Sequence, residues 1–214
     1  MHNIPFWKII LSWIYPFNIE RFYTKKNNTL EVNLQYGQLV VDTKKANYSF
    51  GNLHYVFQQV LSSLDFTLEK KYNVLILGFG AGSISEILFN RLNNYKIVGI
   101  EYDPVIIQIA KKYFPHVLKN TKIEIVDAEL FIQKNKDLYD LILIDLFVDT
   151  NVPNKFQTKE FLQNVYNSIN SNGIVLMNSM NEPTELFENW KIVFNDFTFE
   201  AIQENKVLVY RSFY

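Results

Sequence analysis

A glycine-rich segment and three acidic residues follow four apolar runs of the chain. The glycines stand in Leu77-Gly-Phe-Gly-Ala-Gly-Ser83, where they let the backbone turn sharply and approach a ligand closely. The acidic residues are Glu101, Asp127 and Asp145. Ligands of doubly wound sheets bind at the carboxyl ends of the strands, so we expect these residues to line one crevice.

The three carboxylates suit the hydrogen-bond donors of an adenosine-like ligand. Glu101 lies 19 residues beyond Gly82 and could accept both hydroxyls of a ribose. Asp127 could accept from the exocyclic amine of adenine, and the small side chain of Ala128 would leave room for the ring. Asp145 follows an apolar run, so we expect it to emerge at the sheet rim and face the crevice. The structural alternatives are a solvated Glu101 and an Asp145 that caps the following loop.

A dinucleotide such as NAD is the competing ligand for a glycine loop that is followed by an acid. The dinucleotide fingerprint needs a third glycine at position 83, where this chain has Ser83, and Gly82 stands one residue early. One adenosine-sized site with acids on successive strands also suits S-adenosylmethionine (SAM) better than a dinucleotide. We therefore expect SAM or decarboxylated SAM as the cofactor.

The elements that must position these residues alternate regularly from Tyr72 onward. Apolar runs of strand length alternate with segments of helical spacing, which predicts a parallel sheet covered on both faces. The predicted strands are 74–78, 96–101, 123–127, 139–145 and 173–178, and the predicted helices are 83–92, 104–114, 128–134, 158–169 and 184–194. Extended runs at 197–203 and 206–213 predict a terminal hairpin. The fold class is α/β, a class I SAM-methyltransferase (Rossmann-like) seven-stranded sheet with a C-terminal antiparallel hairpin.

The first 52 residues have a different pattern, and we expect a small N-terminal helix and β-region before a transferase domain over residues 53–214. Residues 29–42 predict two strands with a turn at Tyr36-Gly37, and residues 53–64 predict a helix. Residues 4–17 are apolar at helical spacing but too short to span a bilayer, and they lack the Lys and Arg of membrane-surface helices. We expect them to pack on their own domain or on a second copy.

Composition excludes several classes of function. The 21 Lys and Arg residues nearly balance 22 Asp and Glu residues, so there is no basic surplus for nucleic acid. The chain has no cysteine, and its three histidines lack metal-ligand spacing, so we expect no metal site. With no signal peptide or membrane span in the sequence, we expect a cytoplasmic protein with a small-molecule acceptor and a possible homodimer.

The chain resembles the spermidine synthase family, the aminopropyltransferase branch of the class I SAM-type transferases. The matching segments are residues 74–82, 99–104, 126–128 and 139–145, together with residues 36–42 of the β-region. The resemblance implies that Gly78, Gly80 and Gly82 hold the nucleoside side, Glu101 the ribose, and Asp127 and Ala128 the adenine. It also implies that Asp145 is the central catalytic acid.

Three segments depart from the family pattern. Ala81 stands where the family has an aspartate that would attract the amine tail of decarboxylated SAM and repel the carboxylate of SAM. Val148 takes the place of a second acid, with Asp149 one residue late, and Ala46-Asn47-Tyr48 replaces Asp-Glu-Phe. Acids that would hold a diamine are therefore missing or displaced.

From these three departures we predict which function is favoured and which functions are alternatives. We expect a spermidine-synthase-like, SAM-dependent transferase of a small molecule, with methyl transfer favoured. The alternatives are a polyamine aminopropyltransferase using decarboxylated SAM and a non-catalytic nucleoside-binding or assembly protein. In the transferase reading Asp145 is the candidate base, and Tyr48 and Asp149 are candidate acceptor-side groups.

Overall fold

The N-terminal part of the protein is a short helix followed by a four-stranded antiparallel sheet. The structure, a computed structural model, describes residues 4–43, 47–67, 69–147, 151–180, 184–195, 197–202 and 205–212. The elements are α1 (Phe6–Leu11), β1 (Phe17–Thr24), β2 (Asn28–Gln35), β3 (Gln38–Asp42) and β4 (Asn47–Ser49), with the strands paired in chain order. The predicted turn at Tyr36-Gly37 joins β2 to β3, with both residues at positive φ.

Two strands of this sheet were not predicted from the sequence. In β1 the pairing register shifts between Asn18 and Glu20, and this irregularity breaks the two-residue alternation that signals a strand. In β4 only three residues are extended, which is too short for a periodicity to be recognised. The small N-terminal region is therefore a sheet rather than a single hairpin.

A seven-stranded sheet forms the centre of the protein, after helix α2 (Asn52–Ser62). The elements are β5 (Tyr72–Leu77), α3 (Ser83–Arg91), β6 (Tyr95–Glu101), α4 (Pro104–Tyr113), β7 (Thr121–Ile125), α5 (Ala128–Lys134), β8 (Tyr139–Ile144), α6 (Lys159–Tyr166), β9 (Ile169–Met180), α7 (Thr184–Val193), β10 (Phe197–Ile202) and β11 (Asn205–Arg211). Strand order is β10-β11-β9-β8-β5-β6-β7. The predicted fold class is confirmed, including the C-terminal antiparallel hairpin, which pairs with β9.

The strand order reverses between β5 and β8, and this reversal determines where the crevice of the sheet lies. The chain winds from β5 outward through β6 to β7, and then returns to pair β8 with the other side of β5. Because the helices that follow these strands diverge to opposite faces, a crevice opens at the carboxyl ends of β5 and β8. The backbone N–H of Asp145 donates to the carbonyl of Leu77 at 2.9 Å, so the two strand ends are held side by side there.

Strand β9 begins earlier than predicted. The sequence predicts a helix to Ile169 and a strand from Gly173, whereas α6 ends at Tyr166 and β9 extends over Ile169–Met180. Its pairing with β8 contains an irregularity between Tyr139 and Leu141, and Asn172 has a positive φ of 59°. Because of this bulge, the first residues of β9 do not show the two-residue alternation of a strand, so the sequence pattern does not distinguish them from a loop.

The N-terminal sheet is fixed to the carboxyl edge of the central sheet. Asp103, at the end of β6, is buried and caps α4 by accepting from the N–H of Val105 at 2.9 Å. The same carboxylate accepts from the hydroxyl of Thr24 and from the side-chain amide of Asn27, which lie at the end of β1. Apolar residues of both parts also share one hydrophobic core. The division of the chain at residue 52 stays a prediction.

Helix α1 buries little of its apolar surface on its own domain. None of its residues is buried, it ends at Leu11, and Ser12 directly after it bonds to the N–H of Gly37 in the β2–β3 turn. The large apolar side chains of α1 are exposed, with Phe6 at 74%. Which surface covers residues 4–17 stays a prediction. Within the described part of the chain, no helix has the length and hydropathy needed to cross a membrane.

Candidate active site

A cleft of about 530 Å³ opens at the carboxyl ends of β5, β6 and β8. The cleft brings together six of the residues predicted from the sequence: Tyr48, Gly78, Glu101, Asp127, Ala128 and Asp145. Apolar side chains of the segment after β8, including Leu146, Phe147 and Phe156, form much of the remaining wall.

The three predicted glycines have different roles. All have positive φ, at 85° for Gly78, 59° for Gly80 and 99° for Gly82. Gly78 lines the cleft, and a Cβ atom there would lie 2.1 Å from the carbonyl oxygen of Asp145. Gly80 faces Ser49, and a Cβ atom on Gly82 would lie 2.2 Å from the side chain of Val117. Gly78 thus borders the cleft, whereas Gly80 and Gly82 shape the loop next to it. That the three glycines hold the nucleoside side stays a prediction.

Glu101 is a buried residue that organises two loops. Its side chain is 3% exposed, and one oxygen accepts from the N–H groups of Tyr102 and Asp103 at 2.9 and 3.0 Å. The other oxygen accepts from the N–H of Gly80 at 2.9 Å. A carboxylate has about four acceptor positions, so about one remains for a ribose hydroxyl. The alternative of a solvated Glu101 is wrong. The carboxylate also has fewer acceptor positions left for the two ribose hydroxyls than the sequence suggested.

Asp145 lies at the floor of the cleft beside a residue that the sequence did not single out. Its Oδ1 accepts from the side-chain amide of Asn178, at 3.0 Å, in the neighbouring strand β9. Asn178 is 1% exposed, and among the described residues its own Oδ1 has no hydrogen-bond partner. Only the pairing of β8 with β9 brings these residues together, because they are 33 positions apart in the chain.

Both central carboxylates have raised pKa values. Burial raises the pKa of Glu101 to about 7, although its three backbone N–H donors act in the opposite direction. Burial also raises the pKa of Asp145 to about 7; the hydrogen bond from Asn178 lowers this pKa, and the charge of Glu101 raises it. Two carboxylates that repel each other at one cleft favour a ligand that donates hydrogen bonds or brings positive charge.

Asp127 and Ala128 lie at the far end of the cleft, where the sequence placed an adenine ring. Asp127 caps α5 by accepting from the N–H of Glu129 at 3.0 Å, and it also pairs with the ammonium group of Lys155. Lys155 lines the cleft and was missed, because it lies in an irregular segment without a motif. An adenine amine that donates to Asp127 would therefore bind the same carboxylate as the ammonium group of Lys155. Ala128 is buried and leaves space beside it.

Strand β4 closes the cleft from the N-terminal side. Tyr48 lines it, burial raises the pKa of its hydroxyl well above the usual value, and Asn27 hydrogen-bonds to that hydroxyl. The next residue, Ser49, accepts from the N–H of Ala81 at 3.2 Å and so holds the glycine loop. The acceptor-side role of Tyr48 stays a prediction. Asp149, Val148 and Ala46 lie outside the described residues.

Ala81 is fully buried in the core instead of facing the open cleft. An Ala81→Asp variant, which the sequence suggests as a test of donor preference, would bury a carboxylate next to Ser49. We therefore expect that variant to lose stability, and donor preference is better measured on the unaltered chain.

Comparison with known proteins identifies the family. The family model of the spermine/spermidine synthase domain matches residues 56–204, which extend from α2 to the terminal hairpin. The chain belongs to the spermine/spermidine synthase family. The resemblance noted in the sequence is thereby confirmed.

Several curated relatives of this family member are transferases of two kinds. A polyamine aminopropyltransferase of Vibrio vulnificus is 30% identical over 151 residues, which are 65% of this chain and 50% of the relative. A polyamine aminopropyltransferase of Saccharolobus islandicus is 25% identical over 88% of this chain and 69% of its own length. An eEF1A lysine and N-terminal methyltransferase of Xenopus laevis is 29% identical over 55% of this chain and 19% of its own length. The chain thus spans half the length, or less, of some of these relatives.

Solved structures show the same fold. Human methyltransferase-like protein 13 in complex with SAH has a TM-score of 0.67 at 21% identity, covering 77% of this chain and 83% of its own. Spermidine synthase from Thermotoga maritima has a TM-score of 0.61 at 18% identity, covering 92% of this chain and 72% of its own. The family's fold is therefore common to methyltransferases and aminopropyltransferases.

Proposed function

We propose that this protein is a SAM-dependent transferase that moves a methyl group to a small-molecule acceptor. The main supporting observation is the pair of carboxylates, the buried Glu101 and the half-buried Asp145, that line the cleft where the strand order reverses. When bound, SAM supplies an electrophilic carbon next to a positively charged sulfur. A cationic ligand that also donates hydrogen bonds suits a cleft that is lined by the carboxylates of Glu101, Asp127 and Asp145.

The residues of the cleft divide between binding and proton removal. Glu101 has about one acceptor position left for a ribose hydroxyl, and Asp127 with Ala128 borders the space for the base. We expect Asp145 to accept the proton of the attacking amine or hydroxyl at a carboxylate oxygen, while Asn178 donates to its Oδ1. Since the pKa of Asp145 is about 7, the carboxylate is near the range in which a general base works best at neutral pH.

The choice between methyl and aminopropyl transfer depends on where acids are absent. The glycine loop over residues 78–82 contains no acidic residue, so no carboxylate of this loop repels the carboxylate tail of SAM. This favours SAM over decarboxylated SAM as the donor. Aminopropyl transfer is the second candidate, because two of the curated relatives described above are polyamine aminopropyltransferases.

The donor is identified by titration and by the by-product. We expect SAM to bind at least as tightly as decarboxylated SAM in calorimetry, and at 100 times its dissociation constant to stabilise the fold by about 2.7 kcal/mol. Incubation with a panel of small amines and hydroxyl compounds should release S-adenosylhomocysteine. Release of methylthioadenosine, with strong preference for decarboxylated SAM, would support the aminopropyltransferase instead. An unchanged melting temperature with all four nucleosides would contradict the proposed function.

The pH dependence of binding tests the role of the two carboxylates. A cationic ligand favours their ionised forms, so binding lowers their pKa values from about 7. Affinity for SAM should therefore rise between pH 6 and pH 8, by up to about tenfold for each carboxylate whose pKa falls by one unit. S-adenosylhomocysteine, whose sulfur is neutral, is the matched control and should show a smaller rise. Equal pH profiles for the two ligands would contradict this assignment.

A further inference from the structure

Lys155 is the one cationic side chain among the described residues that line the cleft, and the proposed reaction does not use it. It lies after β8 in a short turn of 3₁₀ helix over Asn154–Phe156. Its side chain is 39% exposed, and its ammonium group lies 4.7 Å from the ring centre of Phe156. A cation in a site for a positively charged donor weakens binding unless it contacts a part of the ligand that accepts hydrogen bonds.

Two acidic residues hold the ammonium group of Lys155 at the far end of the cleft. The ammonium group donates to Oδ2 of Asp127 and lies 3.7 Å from Oε2 of Glu129. The other oxygen of Asp127, Oδ1, accepts from the N–H of Glu129 at 3.0 Å and caps α5. An ammonium group has three N–H donors and a carboxylate oxygen has about two acceptor positions. The ammonium group of Lys155 and Oδ2 of Asp127 therefore each keep about one position for a ligand.

The backbone that carries Lys155 is fixed by hydrogen bonds on both sides. The hydroxyl of Thr158, which caps α6, donates to the carbonyl of Lys155 at 3.2 Å. The side-chain amide of Gln157, which is 7% exposed, donates to the carbonyl of Val152 at 2.6 Å. The neighbouring ring of Phe156 is also 7% exposed. Little ordering of this segment is therefore needed when a ligand binds, which favours a role in recognition.

The carboxylate of Asp127 and the ammonium group of Lys155 present an acceptor beside a donor, which is the complement of adenine. The N6 amine of adenine donates hydrogen bonds, and the ring nitrogens on either side of it, N1 and N7, accept them. An amine that donates to Oδ2 of Asp127 would bring one of these nitrogens towards Lys155. Hypoxanthine has an oxygen in place of the amine, so in the same position two acceptors would face each other at Asp127.

We propose that Lys155 determines the specificity of the cleft for adenine, by donating to N1 or N7 of a base whose N6 amine is bound by Asp127. The inference rests on the proposed function, because it needs an adenosine ligand in the same cleft. It does not depend on the group that is transferred, since SAM, decarboxylated SAM and S-adenosylhomocysteine have the same base. The alternative is that Lys155 is only a counter-ion of Asp127, which the ligand must displace.

Calorimetry of the full chain with S-adenosylhomocysteine and three base analogues tests the proposal. The analogues are S-inosylhomocysteine and the 1-deaza and 7-deaza forms of S-adenosylhomocysteine, in which CH replaces N1 or N7. We expect S-inosylhomocysteine and one of the two deaza forms to bind about tenfold or more weakly than S-adenosylhomocysteine. Lys155→Met should lower the affinity for S-adenosylhomocysteine by a similar factor and leave the affinity for that deaza form within about threefold, because both changes remove the same hydrogen bond.

Lys191→Met is the matched control for the loss of a lysine. Lys191 is exposed on α7 and donates to Glu188 at 3.1 Å, so it also has an acidic partner, but it lies outside the residues that line the cleft. We expect this variant to bind all four ligands like the unaltered chain. Circular dichroism melting shows whether both variants are folded.

Three results would overturn this inference and leave the proposed function intact. The first is a folded Lys155→Met variant that binds S-adenosylhomocysteine as tightly as the unaltered chain or more tightly, which would make Lys155 a counter-ion only. The second is an equal loss of affinity for S-adenosylhomocysteine and both deaza forms in this variant. The third needs no variant: the unaltered chain binds S-adenosylhomocysteine and both deaza forms equally well. Failure to bind any of these nucleosides would instead contradict the proposed function together with the inference.

Discussion

Asp145→Asn should lower turnover by about two to four orders of magnitude once an acceptor is identified. The attacking amine or hydroxyl must lose its proton at about the time it forms the new bond, and the carboxylate of Asp145 is at the floor of the cleft to receive it. Asparagine has the same shape and can still accept from Asn178 at its oxygen, so the variant removes the base with little change in packing. Donor affinity should fall by less than about tenfold.

Steady-state kinetics and calorimetry on the same preparations separate this role from a structural one. If Asp145 only capped the loop after β8, asparagine would replace it and both turnover and donor affinity would stay near those of the unaltered enzyme. Asp65→Asn is a suitable control, because Asp65 is exposed and distant from the cleft residues in the chain. Unchanged turnover in Asp145→Asn would remove this residue from the mechanism and leave alignment of the two substrates as the main catalytic effect.

Gly78→Ala should destabilise the fold by about 2–5 kcal/mol, which is the sum of two separate costs. The φ of 85° is unfavourable for any residue with a Cβ atom, at about 1–2 kcal/mol. The added Cβ would also lie 2.1 Å from the carbonyl oxygen of Asp145, so the ends of β5 and β8 must separate, at a further 1–3 kcal/mol or so. This separation would widen the cleft, so donor affinity should fall as well.

Gly80→Ala is the matched control for backbone strain alone. Gly80 also has a positive φ, 59°, but the nearest atom to an added Cβ is the hydroxyl oxygen of Ser49 at 3.4 Å, which is ordinary contact. We expect Gly80→Ala to cost about 1–2 kcal/mol. Thermal unfolding measures both variants, since 1 kcal/mol corresponds to about 2–4 °C for a protein of this size. Equal losses in the two variants would contradict the steric role of Gly78.

Much of the central sheet follows from local features of the sequence. The apolar runs of β5 and β8 are too long to be exposed, and alternation with helices of matching length predicts their parallel pairing. The position of a residue directly after such a run predicts that it lies at the carboxyl edge. For this reason the sequence predicts that four residues are neighbours, and all four line one cleft: Gly78, Glu101, Asp127 and Asp145.

The contacts between those residues depend on elements that are distant in the chain. Asn178 reaches Asp145 because β9 pairs with β8, and Lys155 reaches Asp127 because the segment after β8 folds back over the cleft. Neither pair has a sequence signal, since hydrogen bonds between remote segments leave no periodicity. Burial is likewise a tertiary property. The sequence places Glu101 at the end of a strand, but only the structure shows that backbone N–H groups of two loops donate to its carboxylate and enclose it.

In the N-terminal segment, too, the sequence indicates the local structure and the tertiary structure decides which surface is exposed. The apolar spacing of this segment indicated a helix within residues 4–17, and the helix spans the shorter Phe6–Leu11. The spacing is local, so it could not indicate which surface would cover the helix. Only the anchoring of Ser12 on the β2–β3 turn decides that the apolar side chains face away from the rest of the chain. The sequence therefore determined the elements and the strand-end residues of the site, and the tertiary structure decided burial, partners and exposed surface, because those depend on which remote segments meet.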